Sequence, residues 1–133
     1  MSLQVELVSP ERILYSGEAE MVIARTTDGE IAFMTGHAPF IGSLGVGAVT
    51  IRTTEGDDLR AAVHQGFVEV TGDKVTVLSD IAELVADIDA GRAQRALERA
   101  EQERGRAGDD EEAESEAEAA LRRARLRVEL AEA

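Results

Sequence analysis

The chain has 133 residues, enough for one ordinary domain or for a small domain with an extension, and too short for two large ones. It holds no cysteine, which excludes disulfides and thiolate chemistry, and its formal net charge of -13 argues against nucleic acid, whose phosphate backbone is bound by Lys and Arg gathered on one face. No apolar run approaches the ~20 residues of a membrane span, and Met1-Ser2-Leu3-Gln4-Val5 has neither the basic region nor the apolar run of a signal peptide, so a soluble intracellular protein is expected.

Leu3, Val5 and Leu7 alternate with polar neighbours, the pattern of a half-buried strand that Ser9-Pro10 ends. Further short runs follow at 12–15, 19–26, 30–33, 47–53, 58–64, 67–71, 75–78 and 82–86, punctuated by Asp28-Gly29, Glu55-Gly56 and Gly72-Asp73. Eight or nine short strands in so few residues predict a β-sandwich or flattened barrel over 1–86. Only Tyr15, Phe33, Phe40 and Phe67 supply aromatic bulk, so Val, Ile and Leu must fill the core. The glycines at 42, 45 and 47 are read as a bend before the next strand.

From Asp87 to Ala93 the apolar period changes from two to nearly four, which predicts a helical region over 87–133. Gly91 weakens the first helical turn by roughly 1 kcal/mol relative to Ala, making the seam a candidate hinge. Ala93, Ala96, Leu97 and Ala100 form one narrow stripe, Gly105 to Gly108 stops the helix, and Asp109 or Asp110 can cap a second one. There Ala113, Ala117, Ala120, Leu121, Ala124, Val128 and Ala131 recur at spacings of three and four, so an antiparallel two-helix hairpin with close backbones is expected. The fold class is therefore α+β, a β-sandwich followed by a helical hairpin.

No His-x-His, His-Glu-x-x-His or Gly-x-Ser-x-Gly spacing occurs, and the glycines after Pro39 lack the Gly-Lys-Ser/Thr ending of a phosphate loop, so nothing assembles a catalytic or metal site. The idiosyncratic pieces are three: Gly29-Glu30-Ile31-Ala32-Phe33-Met34-Thr35-Gly36-His37-Ala38-Pro39-Phe40; Gly66-Phe67-Val68-Glu69-Val70 with Lys74 to Asp80 and Ala82-Glu83; and Asp87-Ile88-Asp89-Ala90-Gly91-Arg92-Ala93 followed by two Ala-rich helices. In order and spacing these blocks resemble the epsilon subunit of bacterial F-type ATP synthase, with Ala32, Thr35 and Phe40 standing where that family has Gly, Pro and Leu.

The resemblance implies a non-catalytic rotor subunit, peripheral to the cytoplasmic face of the bacterial membrane. Its β domain would contact the gamma subunit and the c-ring, with Glu30 and His37 at the contact. Its hairpin would extend to inhibit ATP hydrolysis, with Arg122, Arg123, Arg125 and Arg127 opposing an acidic segment of a beta subunit. No cofactor is required, but ATP as a regulatory ligand is implied by the full Ile-Asp-x-x-Arg-Ala signature. Glu83 and Asp89 would then face the base or nearby polar groups, Ile88 and Ala93 would line the adenine pocket, and Arg92, Arg99, Arg123 and Arg127 would gather round the phosphates, with Arg122 and Arg125 competing for the last two places. On the residues alone, Gly36 to Pro39 needs only to be a turn, Asp89 a helix cap and the arginines a solvated face matched to the helix dipole. A free-standing ATP-sensing module acting on an unrelated partner is the alternative from another class.

Overall fold

Strand alternation becomes nine strands in the computed structural model, which describes residues 2–132. They are β1 (Leu3–Val8), β2 (Ile13–Thr26), β3 (Gly29–Phe33), β4 (Phe40–Leu44), β5 (Gly47–Thr53), β6 (Asp58–Val63), β7 (Gly66–Thr71), β8 (Lys74–Ser79) and β9 (Ala82–Leu84). A 3-10 turn, Val85–Asp87, leads to α1 (Ala90–Arg106) and α2 (Glu111–Glu132). The chain forms two compact units that divide between Leu84 and Val85.

In the first unit the strands run in the order β1-β8-β7-β4-β2-β5-β6-β9, and β1 also pairs with β2, which closes the layers on one another. The long β2 makes that closure possible: its first half pairs with β1 and its second with β3 and β5. Two sequence readings are corrected here. The runs 12–15 and 19–26 are one strand, continuous through Gly17, with an irregularity between Ala19 and Met21 against β5. The Gly42 segment is a strand, because Phe40, Gly42 and Leu44 alternate with Ile41 and Ser43 and pair in register with β7. Phe33 and a set of Val, Ile and Leu side chains from both layers form the core, with Tyr15 and Phe40 packed at its margin. Phe67 is the exception among the aromatics, 56% exposed.

Helix α1 starts where Asp89 accepts a hydrogen bond from the Arg92 N–H at 3.0 Å, and α2 starts where the Asp110 carboxylate accepts from the Glu112 and Ala113 N–H groups at 3.1 and 3.2 Å. Gly108, at φ 58°, turns the chain between them. Ala100, Leu121 and Ala124 make the buried seam of the hairpin, flanked by Leu97 and Ala120. Such small side chains bury little area each, so the caps carry a large share of the helical unit's stability. Asp110→Ala is expected to lower that unit's stability by about 1 kcal/mol, and Asp110→Asn to restore most of it. Helical circular dichroism followed through thermal unfolding checks both.

Candidate functional site

Glu30 and His37 are placed at opposite ends of β3. Glu30 is exposed and lies across from Arg25 in the β2–β3 pair. His37 is half-buried beyond the far end of the strand, where its ring meets Phe33 edge-on at 4.9 Å between centroids and Phe40 at 6.3 Å. Its Nδ1 donates to the Ala38 carbonyl at 2.6 Å, and its backbone N–H donates to Met34. The Gly36 N–H donates to the Asp73 carboxylate at 3.2 Å, which ties this loop to the β7–β8 turn. His37 thus shapes the loop, and three residues of strand, about 10 Å, separate its packing partner Phe33 from Glu30.

A second feature of the β unit was not singled out in the sequence. Strand phase turns Ile41 and Ser43 of β4, Phe67 and Glu69 of β7, Thr76 and Leu78 of β8 and Val8 of β1 to one outer face, opposite the buried Val68, Val70, Val75 and Val77. Ile41, Phe67 and Leu78 are 71%, 56% and 49% exposed, and Phe67 lies directly between Ser43 and Leu78 in the ladder. Phe67, Leu78, Val8 and Pro10 also line a groove of about 280 Å³ at one end of this face. The signal was legible: the alternation that buries Val68 and Val70 must send Phe67 outward with Glu69.

Of the residues assigned to ATP, Glu83 belongs to the β unit, in β9 opposite Ala62. Its carboxylate lies 3.9 Å from Nε2 of His64, whose side chain is fully buried. The others lie in the helical unit. Asp89 is the cap of α1, Ile88 is half-buried, and Ala93 is buried, its N–H donating to the Asp89 carbonyl at 2.9 Å.

Helix phase sorts the arginines. Seven residues are two turns to within about 20°, so Arg92, Arg99 and Arg106 share one row of α1, and Glu116 and Arg123 share one row of α2 that Arg127 continues. Arg106 and Glu116 line the same groove along the hairpin, which places both rows on one side. On the other side Arg104 bridges Glu118 at 3.0 Å, and Arg104 and Arg125 line a second groove; Arg122, one turn beyond Glu118, falls there too. Arg122 and Arg125 are exposed, whereas Arg123 and Arg127 are half-buried. Arg92, Arg99, Arg123 and Arg127 therefore share a side, and Arg122 and Arg125 do not.

A β-sandwich with an uncovered apolar face, continued by a hairpin with a cationic side, defines a two-part interaction subunit. Residues 2–85 match the family model described as ATP synthase, Delta/Epsilon chain, beta-sandwich domain, and residues 86–132 match its long alpha-helix domain. The chain belongs to this family of non-catalytic ATP synthase subunits. It is 47% identical to the ATP synthase epsilon chain of Thermobifida fusca, over 98% of this chain and 93% of the relative. It is 52% identical to that of Streptomyces avermitilis, over 76% of this chain and 82% of the relative. A chain in the cryo-EM structure of the Euglena gracilis mitochondrial ATP synthase OSCP/F1/c-ring has the same fold, with a TM-score of 0.80 at 21% identity over 91% of this chain and 76% of that one. Among the described residues no helix is long and apolar enough to cross a membrane.

Proposed function

We propose that this chain is a rotor subunit that couples gamma to the c-ring of an F-type ATP synthase at the cytoplasmic face of the membrane, and that its hairpin restrains ATP hydrolysis. The observation that carries the reading is the apolar outer face around Phe67: three large hydrophobic side chains from adjacent strands, beside a groove, form a patch of the kind that marks a protein interface. Gamma occupies that face. Glu30, on the exposed end of β3, meets the c-ring, while His37 acts by fixing its own loop.

The hairpin switches between an extended state, in which Arg122, Arg123, Arg125 and Arg127 meet an acidic segment of beta, and a compact state favoured by ATP. Supporting the second is the shared side of Arg92, Arg99, Arg123 and Arg127, since several planar guanidinium groups suit the oxygens of a phosphate chain. ATP shifts the equilibrium only by its differential affinity for the two states.

Reconstitution into an epsilon-free complex tests this. The full chain is expected to assemble and lower ATP hydrolysis, while a chain ending before Ile88 assembles equally and leaves hydrolysis high. Failure of the full chain to assemble, or unchanged hydrolysis, would overturn the reading; ATP binding without assembly would favour a free-standing nucleotide sensor.

A further inference from the structure

Four adjacent strands, β1, β8, β7 and β4, turn three charged side chains to the apolar outer face: Glu6, Lys74 and Glu69. Glu6 and Glu69 stand in one cross-strand row, on either side of Thr76 and in register with it. Lys74, two residues before Thr76 on the same face, draws toward Glu6, with its Nζ 3.8 Å from the carboxylate. Those two charges offset one another. The charge left over is Glu69, which is exposed, accepts the Thr71 hydroxyl at 3.2 Å and, among the described residues, pairs with no cation.

Its position makes that charge part of any interface built here. Ile41 lies directly beside Glu69 in the β4–β7 ladder, and Phe67 is two residues away along the same strand. Neighbouring strands are about 4.8 Å apart and alternate residues of one strand about 6.8 Å, so Glu69 stands at the corner between the two apolar side chains. A partner that covers Ile41 and Phe67 covers Glu69 too. Interface cores are depleted of charge because a carboxylate taken out of water without a partner is strongly unfavourable. An occupant of this face therefore has to bring a cation to it.

We propose that Glu69 selects the partner by charge: the segment of gamma that covers Ile41, Phe67 and Leu78 carries a Lys or Arg set among apolar side chains, and that cation pairs with the Glu69 carboxylate. This rests on the reading that gamma occupies the face. Apolar contact supplies affinity but accepts many partners, whereas the one unbalanced carboxylate rejects a partner that offers an acid or an uncharged side chain at that point. Thr71 holds one carboxylate oxygen of Glu69 and leaves the other to the incoming cation.

The test is the affinity of the full chain for an immobilised epsilon-free ATP synthase complex, measured for the unaltered protein, Glu69→Gln, Glu69→Lys, Phe67→Glu and Glu55→Gln, with thermal unfolding as the control for folding. Glu55, exposed in the turn between β5 and β6, carries the same charge off this face. Glu69→Gln is expected to weaken binding by about 30-fold, the range found when one partner of a desolvated ion pair is removed, and Glu69→Lys by more, while Glu55→Gln should cost less than about 3-fold. Equal losses in Glu69→Gln and Glu55→Gln would reduce Glu69 to general charge attraction and overturn the proposal. So would a Glu69→Gln chain that binds like the unaltered one while Phe67→Glu does not: the face would still be the interface, with no cation opposite Glu69. Unaltered affinity in both Phe67→Glu and Glu69→Gln would instead overturn the reading that gamma occupies the face, and this proposal with it.

Discussion

Gly66→Ala is expected to destabilise the β unit by about 3–5 kcal/mol, combining positive-φ strain with backbone overlap. At φ 151° Gly66 occupies backbone space that side-chain-bearing residues rarely enter, and a Cβ there would stand 1.9 Å from the Leu78 carbonyl oxygen and 2.8 Å from the Ser79 Cα. Neither neighbour can yield cheaply, since both are backbone of the paired strand β8. Gln65, at φ 142°, shares the distortion, and the buried Ser79 holds it: its hydroxyl reaches the Gln65 carbonyl at 2.6 Å and the Ile81 carbonyl at 2.9 Å. Against a domain stability of ~5–15 kcal/mol such a loss unfolds a large share of the protein. Gly72→Ala, at φ 60° with nothing within 4 Å of its Cβ, should cost only about 1–2 kcal/mol. Urea unfolding of the two variants side by side checks the contrast; equal midpoints would mean that the strand has room to shift.

Phe67→Glu, one residue away, is expected to do the opposite. Its ring stands on the outer face and adds little to the core, so folding stability should change by less than about 1 kcal/mol. Loss of a central aromatic anchor and burial of a charge should weaken association with gamma by about 100-fold, the range found when hot-spot residues are removed. Affinity measured by surface-immobilised gamma, with thermal unfolding as the control, separates the two effects. Wild-type affinity in this variant would exclude the face as the interface.

Much of the fold was legible because apolar alternation is strict where one face of a strand is buried. It failed where glycine and proline chemistry masked it. Pro39, Gly42, Gly45 and Gly47 read as punctuation, yet Phe40 and Leu44 bury inward on either side of Gly42 and the segment pairs with β7. Ser16-Gly17-Glu18 read as a break because nothing local says that one strand must serve two neighbours in succession; β1 and β5 supply that reason. Hydrophobicity alone counts Phe67 as core bulk, although the phase of its own strand sends it outward.

The helical unit was more transparent. Asp89 and Asp110 cap as their positions suggest, and the alanine stripes meet. Leu130, off the stripe, is buried as well, and α2 packs against the 3-10 turn. The division of the arginines could not be read from α2 by itself. Four arginines within six residues leave the two sides of the hairpin undefined until the grooves and the Arg104–Glu118 bridge fix the neighbouring helix.

Hydroxyl-radical footprinting of the chain, alone and bound to gamma, addresses the central claim most directly, because it reports side-chain exposure on the sheet face itself. Ile41, Phe67 and Leu78 react readily in the free chain on this account, and all three lose most of that reactivity in the complex. A complex that forms while the three side chains stay as reactive as before would contradict it and move the interface elsewhere on the β unit.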